Sequence, residues 1–173
     1  MRIAMQTISQ LDRKAFFKLF NHQASKRRLY VIKTVSKLGD GFIYLLVGAG
    51  CYVVDTQASK LALSALILGF ALERPIYYLL KNTLKRERPS QSIVEGFVVP
   101  SDRFSLPSGH SSAAWLFASV ISWYFPELSY VLLMAVAISL SRVMLGVHYP
   151  CDILVGALLG ICFATVGIIG ATL

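Results

Sequence analysis

The stretch ILVGALLGICFATVGIIGATL, from Ile153 to Leu173, contains no charged side chain. A run of that length and composition crosses the apolar core of a bilayer as a helix, because no water is present there to satisfy an open backbone. Pro150 stands just upstream, suited to the first turn of a helix, and Gly156 and Gly160 form a small-xxx-small pair that admits a close neighbour. Towards the N-terminus lie four more apolar runs: Tyr130 to Leu140, Ala113 to Phe125, Leu61 to Leu72 continuing as Ile76 to Leu80, and Phe42 to Val54. Each predicts a span of roughly 17–25 residues once its weakly polar flanks are included. With 55% hydrophobic and 15% charged residues, and a mean hydropathy of +0.62, the chain is more apolar than one soluble core of its length requires. The expected fold is all-α, a multi-span transmembrane helix bundle of about five spans.

Ahead of the first span, residues 1–38 form a basic amphipathic segment, and residues 39–173 form the bundle, the whole being one membrane-embedded domain. Leu11, Ala15, Phe16, Leu19 and Phe20 share one helical face while Arg13, Lys14 and Lys18 lie off it, which predicts an interfacial helix on the membrane surface. Lys26, Arg27 and Arg28 continue the basic character, and Gly39-Asp40-Gly41 marks a turn. The first twenty residues hold no apolar core of the signal-peptide kind, so the first span is expected to direct insertion. Cys51, Cys151 and Cys162 lack CxxC spacing and predict neither a disulfide framework nor a zinc site. Glu73-Arg74-Pro75 interrupts the second span, where proline is expected to kink or break the helix before it runs on to Arg88-Pro89. Residues 90–107 read as a loop with an apolar patch, Phe97-Val98-Val99 and Phe104.

Polar residues in so apolar a chain require a reason, and they gather at two connections. The loops after the second and fourth spans lie on one side of the membrane, since two spans separate them. One carries Lys81, Arg88, Ser108 and His110; the other carries Arg142, His148 and Asp152. Three fixed cations, two imidazoles and a carboxylate suit phosphoryl transfer: cations bind the equatorial oxygens, one histidine attacks phosphorus and another protonates the leaving oxygen. A carboxylate beside the attacking imidazole holds its tautomer, and His148 and Asp152, four apart at a helix start, allow that contact. Ser108 can cap the following helix, and Gly109 lets backbone N–H groups approach an anion. Lys85 and Arg86 read as membrane-interface anchors.

Lys81-x6-Arg88-Pro89, then Pro107-Ser108-Gly109-His110, then Ser141-Arg142-x5-His148-x3-Asp152, resembles the three-part signature of the type 2 phosphatidic acid phosphatase family, the lipid phosphate phosphatases related to vanadium haloperoxidases. The resemblance covers the second span to the fifth. It implies a hydrolase acting on a membrane lipid phosphate through a phosphohistidine on His148, with Asp152 orienting that ring and His110 as the acid. It also implies phosphate binding by Lys81, Arg88 and Arg142, with Ser108 and the Gly109 amide assisting. No metal, cofactor or nucleic-acid partner is implied. Many family members resemble six-span bundles, one more span than this chain predicts.

Phosphatidylglycerophosphate, phosphatidic acid and undecaprenyl diphosphate all present the required phosphate. A phosphotransferase, a non-catalytic lipid-phosphate binding or transport protein, and a vanadium haloperoxidase are the competing readings. A neutral His148 and a protonated His110 together predict a bell-shaped pH profile. Arg74, seven residues before Lys81 on nearly the same helix face, is expected roughly 10 Å deeper, paired with Glu73 or Asp55 and supporting the site from below. Fifteen of the 17 Lys and Arg residues lie on the site side, all but Lys60 and Arg74. The positive-inside rule thus places the site of a multi-pass inner-membrane protein in the cytoplasm, whereas many bacterial relatives resemble enzymes whose site faces outward.

Overall fold

The computed structural model describes residues 2–100 and 102–173, with side chains from Gln10 onward; the side chain of Arg2, one of the cations counted above, lies outside that set. The described elements are α1 (Arg2–Leu19), α2 (Lys26–Lys37), α3 (Phe42–Val54), α4 (Gln57–Leu84), the single turn α5 (Pro89–Ser92), α6 (Gly109–Tyr124), α7 (Val131–Met144) and α8 (Pro150–Thr172). A 3-10 turn, Pro126–Leu128, joins α6 to α7. The five apolar runs became α3, α4, α6, α7 and α8, and no strand occurs among the described residues. The fold is a transmembrane helix bundle.

Its centre is α6, whose Ala114, Leu116, Ala118 and Val120 have no exposed surface. Lipid tails are as apolar as leucine, so helices in a membrane associate through close van der Waals packing. The glycines of α8 supply that closeness. A Cβ on Gly156 would come within 2.5 Å of the Ser108 carbonyl oxygen, one on Gly160 within 2.2 Å of that of Ser112, and one on Gly167 within 2.3 Å of that of Ala65. Gly156 and Gly160 therefore seat α6, as their spacing predicts, and Gly167 seats α4. Leu46, Leu79, Leu133 and Leu158 are exposed, the pattern expected where lipid is the solvent.

The structure departs from the sequence expectations at three places. Gln57–Ser92, Pro126–Met144 and Pro150–Thr172 are each long and apolar enough to cross a membrane, and Lys26–Lys37 with Phe42–Val54, meeting at a 42° bend, make a fourth if that pair acts as one span. At 13 and 16 residues, α3 and α6 are shorter than the ~20 residues an isolated span needs, and Ser111 to Ile121 of α6 are largely buried by neighbouring elements. Second, α4 runs unbroken through Pro75. Its packing against α6 and α8 holds the helix where the missing N–H alone would favour a break. Third, the apolar face of α1 does not simply rest on the membrane surface. Phe16 and Phe20 are buried against Tyr149 and Phe97, with ring centroids 5.6 and 5.5 Å apart, so α1 is docked onto the loop end of the bundle. Leu11 and Phe17 stay exposed.

Candidate functional site

Local structure explains how residues distant in the chain converge. Lys85, at φ 47°, ends α4, and the chain doubles back through Arg88 into Pro89, the first residue of α5. Pro fits there because its missing N–H has no helical partner at that position. The α7–α8 connection turns at Gly146, where φ is +78° and a Cβ would lie 2.9 Å from the Phe20 ring. Both the backbone angle and the close ring exclude a side chain. That turn carries His148 back beside Arg142, the basic residue in the last turn of α7. Ser108 caps α6, accepting from the Ser111 N–H, and its own N–H donates to the Asp152 carbonyl at 3.0 Å, which ties the start of α6 to the start of α8.

The seven side chains expected from the sequence converge, with Lys81, Arg88, Arg142, Ser108, His148 and Asp152 all buried. Arg88 is the hub. Its Nη1 donates to the Val147 carbonyl at 2.7 Å and to His148 Nε2 at 3.1 Å, and its Nε donates to the Asp102 carbonyl at 3.2 Å. Because a guanidinium only donates, Nε2 of His148 must be the lone-pair nitrogen, and in the neutral ring Nδ1 carries the proton. Nδ1 has no hydrogen-bond partner and faces Asp152 Oδ2 at 3.6 Å. Asp152 Oδ2 in turn accepts from the Tyr149 N–H at 2.7 Å. Burial, then the cations Arg88, Arg142 and Lys81, hold the His148 imidazole well below its ordinary pKa, so the ring is a neutral base aimed at the cations.

Asp102 occupies the centre of the cation cluster. It pairs with Lys81 Nζ at 2.9 Å and with the Arg88 guanidinium, and accepts from the Tyr77 hydroxyl at 3.0 Å. Burial alone would raise its pKa, but Lys81 and Arg88 together bring it below the usual carboxylate range. Arg142 Nη1 donates to Ser36 Oγ at 2.6 Å, while its Nε is buried without a partner. His110 Nε2 donates to Asp40 Oδ1 at 2.8 Å.

Part of this cluster forms one end of a cavity of about 1180 Å³, and Lys81, Ser108 and Asp152 are not among its lining residues. Gly39, Asp40, Arg88, Asp102, His110, Arg142 and His148 line its polar end, and Leu45, Gly48, Tyr52, Leu63, Ile67 and Phe70 of α3 and α4 are among the residues lining the remainder, with Arg74 and Tyr77 also in the wall.

The match to a family model covers residues 58–171, described as the PAP2 superfamily. The chain belongs to the PAP2 superfamily. The match takes in α4 to α8 and every site residue expected from the sequence. This PAP2 chain is also 33% identical over 101 residues to the decaprenylphosphoryl-5-phosphoribose phosphatase of Mycobacterium tuberculosis. That alignment takes in 58% of the chain and only 55% of the relative's length. The crystal structure of Aquifex aeolicus LpxE superposes with a TM-score of 0.80 at 24% identity, covering 91% of this chain and 94% of that one. A PAP2-type phosphatidylglycerolphosphate phosphatase from Bacillus subtilis gives 0.74 at 25% identity, covering 95% and 85%.

Sequence reasoning missed several neighbours of the PAP2 site. Arg86, expected as an interface anchor, turns inward, its Nη1 donating to Asp152 Oδ1 at 2.8 Å and its Nη2 to Asp12 Oδ2 at 2.6 Å. Its stem and charge are better accommodated by two carboxylates than by the bilayer surface. Ser36, Asp40, Tyr77 and Asp102 were also not singled out. Asp12 lies on the same helical face as Phe16 and Phe20, and that charge within an apolar stripe was the available signal. At Gly109 a Cβ would also meet the Tyr77 hydroxyl at 2.8 Å, a second reason for glycine beside the backbone approach expected from the sequence. Arg74 pairs with Glu73, as one of its two expected partners, and stacks over the Tyr77 ring at 4.8 Å. Asp55, the other, pairs with Lys60 instead.

Proposed function

We propose that this PAP2 protein is a membrane phosphatase that hydrolyses a lipid phosphate through a phosphohistidine on His148. The observation that carries the reading is the cavity, cationic and imidazole-lined at one end and apolar between α3 and α4. Such a shape accommodates a phosphate head with its hydrocarbon tail, and the apolar length has no use for a water-soluble phosphate. The phosphatase activities named for the relatives support the class, and the candidate substrates remain undecaprenyl diphosphate, phosphatidylglycerophosphate and phosphatidic acid.

In this mechanism Lys81, Arg88 and Arg142 hold the phosphoryl oxygens, with the unpartnered Nε of Arg142 supplying a free donor. Ser108 and the Gly109 amide assist at the start of α6. His148 Nε2 attacks phosphorus, forming the N–P bond as the P–O bond to the lipid breaks, and His110 gives its proton to the departing oxygen. Asp152 stabilises the imidazolium ring through Nδ1–H. Water then attacks phosphorus, its proton returns to His110, and phosphate leaves with His148 regenerated. The three fixed cations carry the charge that develops at phosphorus, so no metal ion takes part. The cation distribution supports a cytoplasmic site face, since twelve cations remain on that side against two when Lys81, Arg88 and Arg142 are set aside.

Phosphate release from a panel of lipid phosphates, measured with chelator present, tests the reading. Wild type releases phosphate and His148→Ala does not. Turnover by His148→Ala, or activity abolished by chelator, refutes the mechanism.

A further inference from the structure

Behind His148, away from the cavity, a second charged cluster is built from three separate elements. Arg86 spreads its guanidinium between Asp152 at the start of α8 and Asp12 of α1, at 2.8 and 2.6 Å. Asp12 is 4% exposed and Asp152 not at all. The other oxygen of Asp12 accepts from the Cys151 N–H at 2.9 Å, one residue before Asp152. The Arg86 guanidinium also lies 4.1 Å over the Tyr149 ring. Ser105 fixes the Arg86 backbone, its N–H donating to the Arg86 carbonyl at 2.8 Å. Every donor of the fork that is engaged thus serves to place one of two carboxylates.

The arrangement has an electrostatic consequence. When the N–P bond forms, His148 becomes a cation, and Asp152 is the carboxylate that faces it. A lone guanidinium on Asp152 would hold the carboxylate's place but draw off part of the negative charge the imidazolium needs. Asp12 takes the other half of that guanidinium's field, so Asp152 is held rigidly and still presents its charge to Nδ1. We infer that Asp12 and Arg86 are positioning residues for the reaction, with α1 delivering Asp12 to a relay that runs Asp12–Arg86–Asp152–His148. Neither touches the substrate cavity, and both act through Asp152. The N-terminal amphipathic helix is then a working part of the catalytic apparatus, docked by Phe16 and Phe20 so that Asp12 reaches its partner.

The inference rests on His148 being the nucleophile, and the experiment separates the two. Full-length wild type, Asp12→Asn, Arg86→Met, Arg86→Lys and His148→Ala are compared for kcat, KM and inhibition by inorganic phosphate. Asp12→Asn keeps the side chain's shape and is expected to lower kcat about 10-fold and Arg86→Met about 100-fold, with KM and the phosphate inhibition constant within about two-fold of wild type. Arg86→Lys, which keeps the charge, recovers part of the Arg86→Met loss. A merely structural role would weaken phosphate binding together with kcat, and that result overturns the inference, as does wild-type turnover by Asp12→Asn. An Arg86→Lys variant no better than Arg86→Met also overturns it. If His148→Ala is inactive while Asp12→Asn is normal, only the relay is wrong; an active His148→Ala removes the reading on which it rests.

Discussion

Replacing Asp102 with asparagine removes one negative charge from the middle of the proposed phosphate site while keeping the side chain's volume. Asp102 holds the positions a phosphate needs, pairing with Lys81 and Arg88 and accepting from Tyr77. Its depressed pKa means that the charge is present throughout the neutral range, so a bound phosphate must displace or repel it. A hydrogen bond to an ionised partner contributes about 1.5–3 kcal/mol against about 0.5–1.5 for a neutral one, so two cation contacts change by about 2–3 kcal/mol. One third of the carboxylate is open to solvent, and screening reduces that to about 1–2 kcal/mol. At 1.4 kcal/mol for each factor of ten, inorganic phosphate should inhibit Asp102→Asn at roughly 5–30-fold lower concentration than wild type. The assay is phosphate inhibition of lipid-phosphate hydrolysis in detergent micelles, with equal elution on gel filtration showing that both proteins are folded. Unchanged or weaker inhibition in folded Asp102→Asn would refute the argument that this carboxylate competes with phosphate.

Other outcomes follow from the same geometry. Since burial and the neighbouring cations lower the His148 pKa, the proposed nucleophile loses its lone pair only as pH falls below the usual histidine range near 6.5, and the acid limb of kcat/KM lies beneath that value. Arg88→Gln removes one of the depressing charges and moves the limb upward; a limb at or above 6.5 in wild type contradicts the electrostatics. Gly160→Ala puts a methyl group where the Ser112 carbonyl oxygen already stands, and thermal unfolding in detergent should report a loss of about 1–3 kcal/mol from overpacking. Arg74→Met leaves Glu73, which has no exposed surface, with only Ser112 as partner, and should destabilise by about 1–3 kcal/mol. A variant with wild-type melting and turnover would show that the Glu73–Arg74 pair has no part in holding α4.

Much of the architecture is readable along the chain. Five apolar runs became five helices because a backbone in lipid has to close its own hydrogen bonds, and the glycines at 156 and 160 foretold a close helix contact because only small residues permit one. Lys81, Arg88, Ser108, His110, Arg142, His148 and Asp152 were legible as a group because charged and imidazole side chains beside membrane spans are costly unless they have work to do. Pro75 illustrates a local rule yielding to tertiary packing, since α4 continues through it between two neighbours.

What the sequence could not supply is which groups complete that cluster. Ser36 and Asp40 lie far from the motif residues in the chain and look there like ordinary polar positions of a basic segment, and Asp12, a charge within an apolar stripe, does not reveal its partner. Arg86 and Asp102 sit among other charges in a connection with no period to read. Their roles depend on distances of about 3 Å across separate elements, set by how α1 and the α2–α3 turn dock on the loop end of the bundle. The sequence by itself determined the membrane helices and the family signature, because length, apolarity and residue type are local properties. Only the tertiary structure decided that Asp102 fills the cation site, that Asp40 meets His110, and that Asp12 reaches Arg86 behind His148, because hydrogen bonds and ion pairs are fixed by three-dimensional approach.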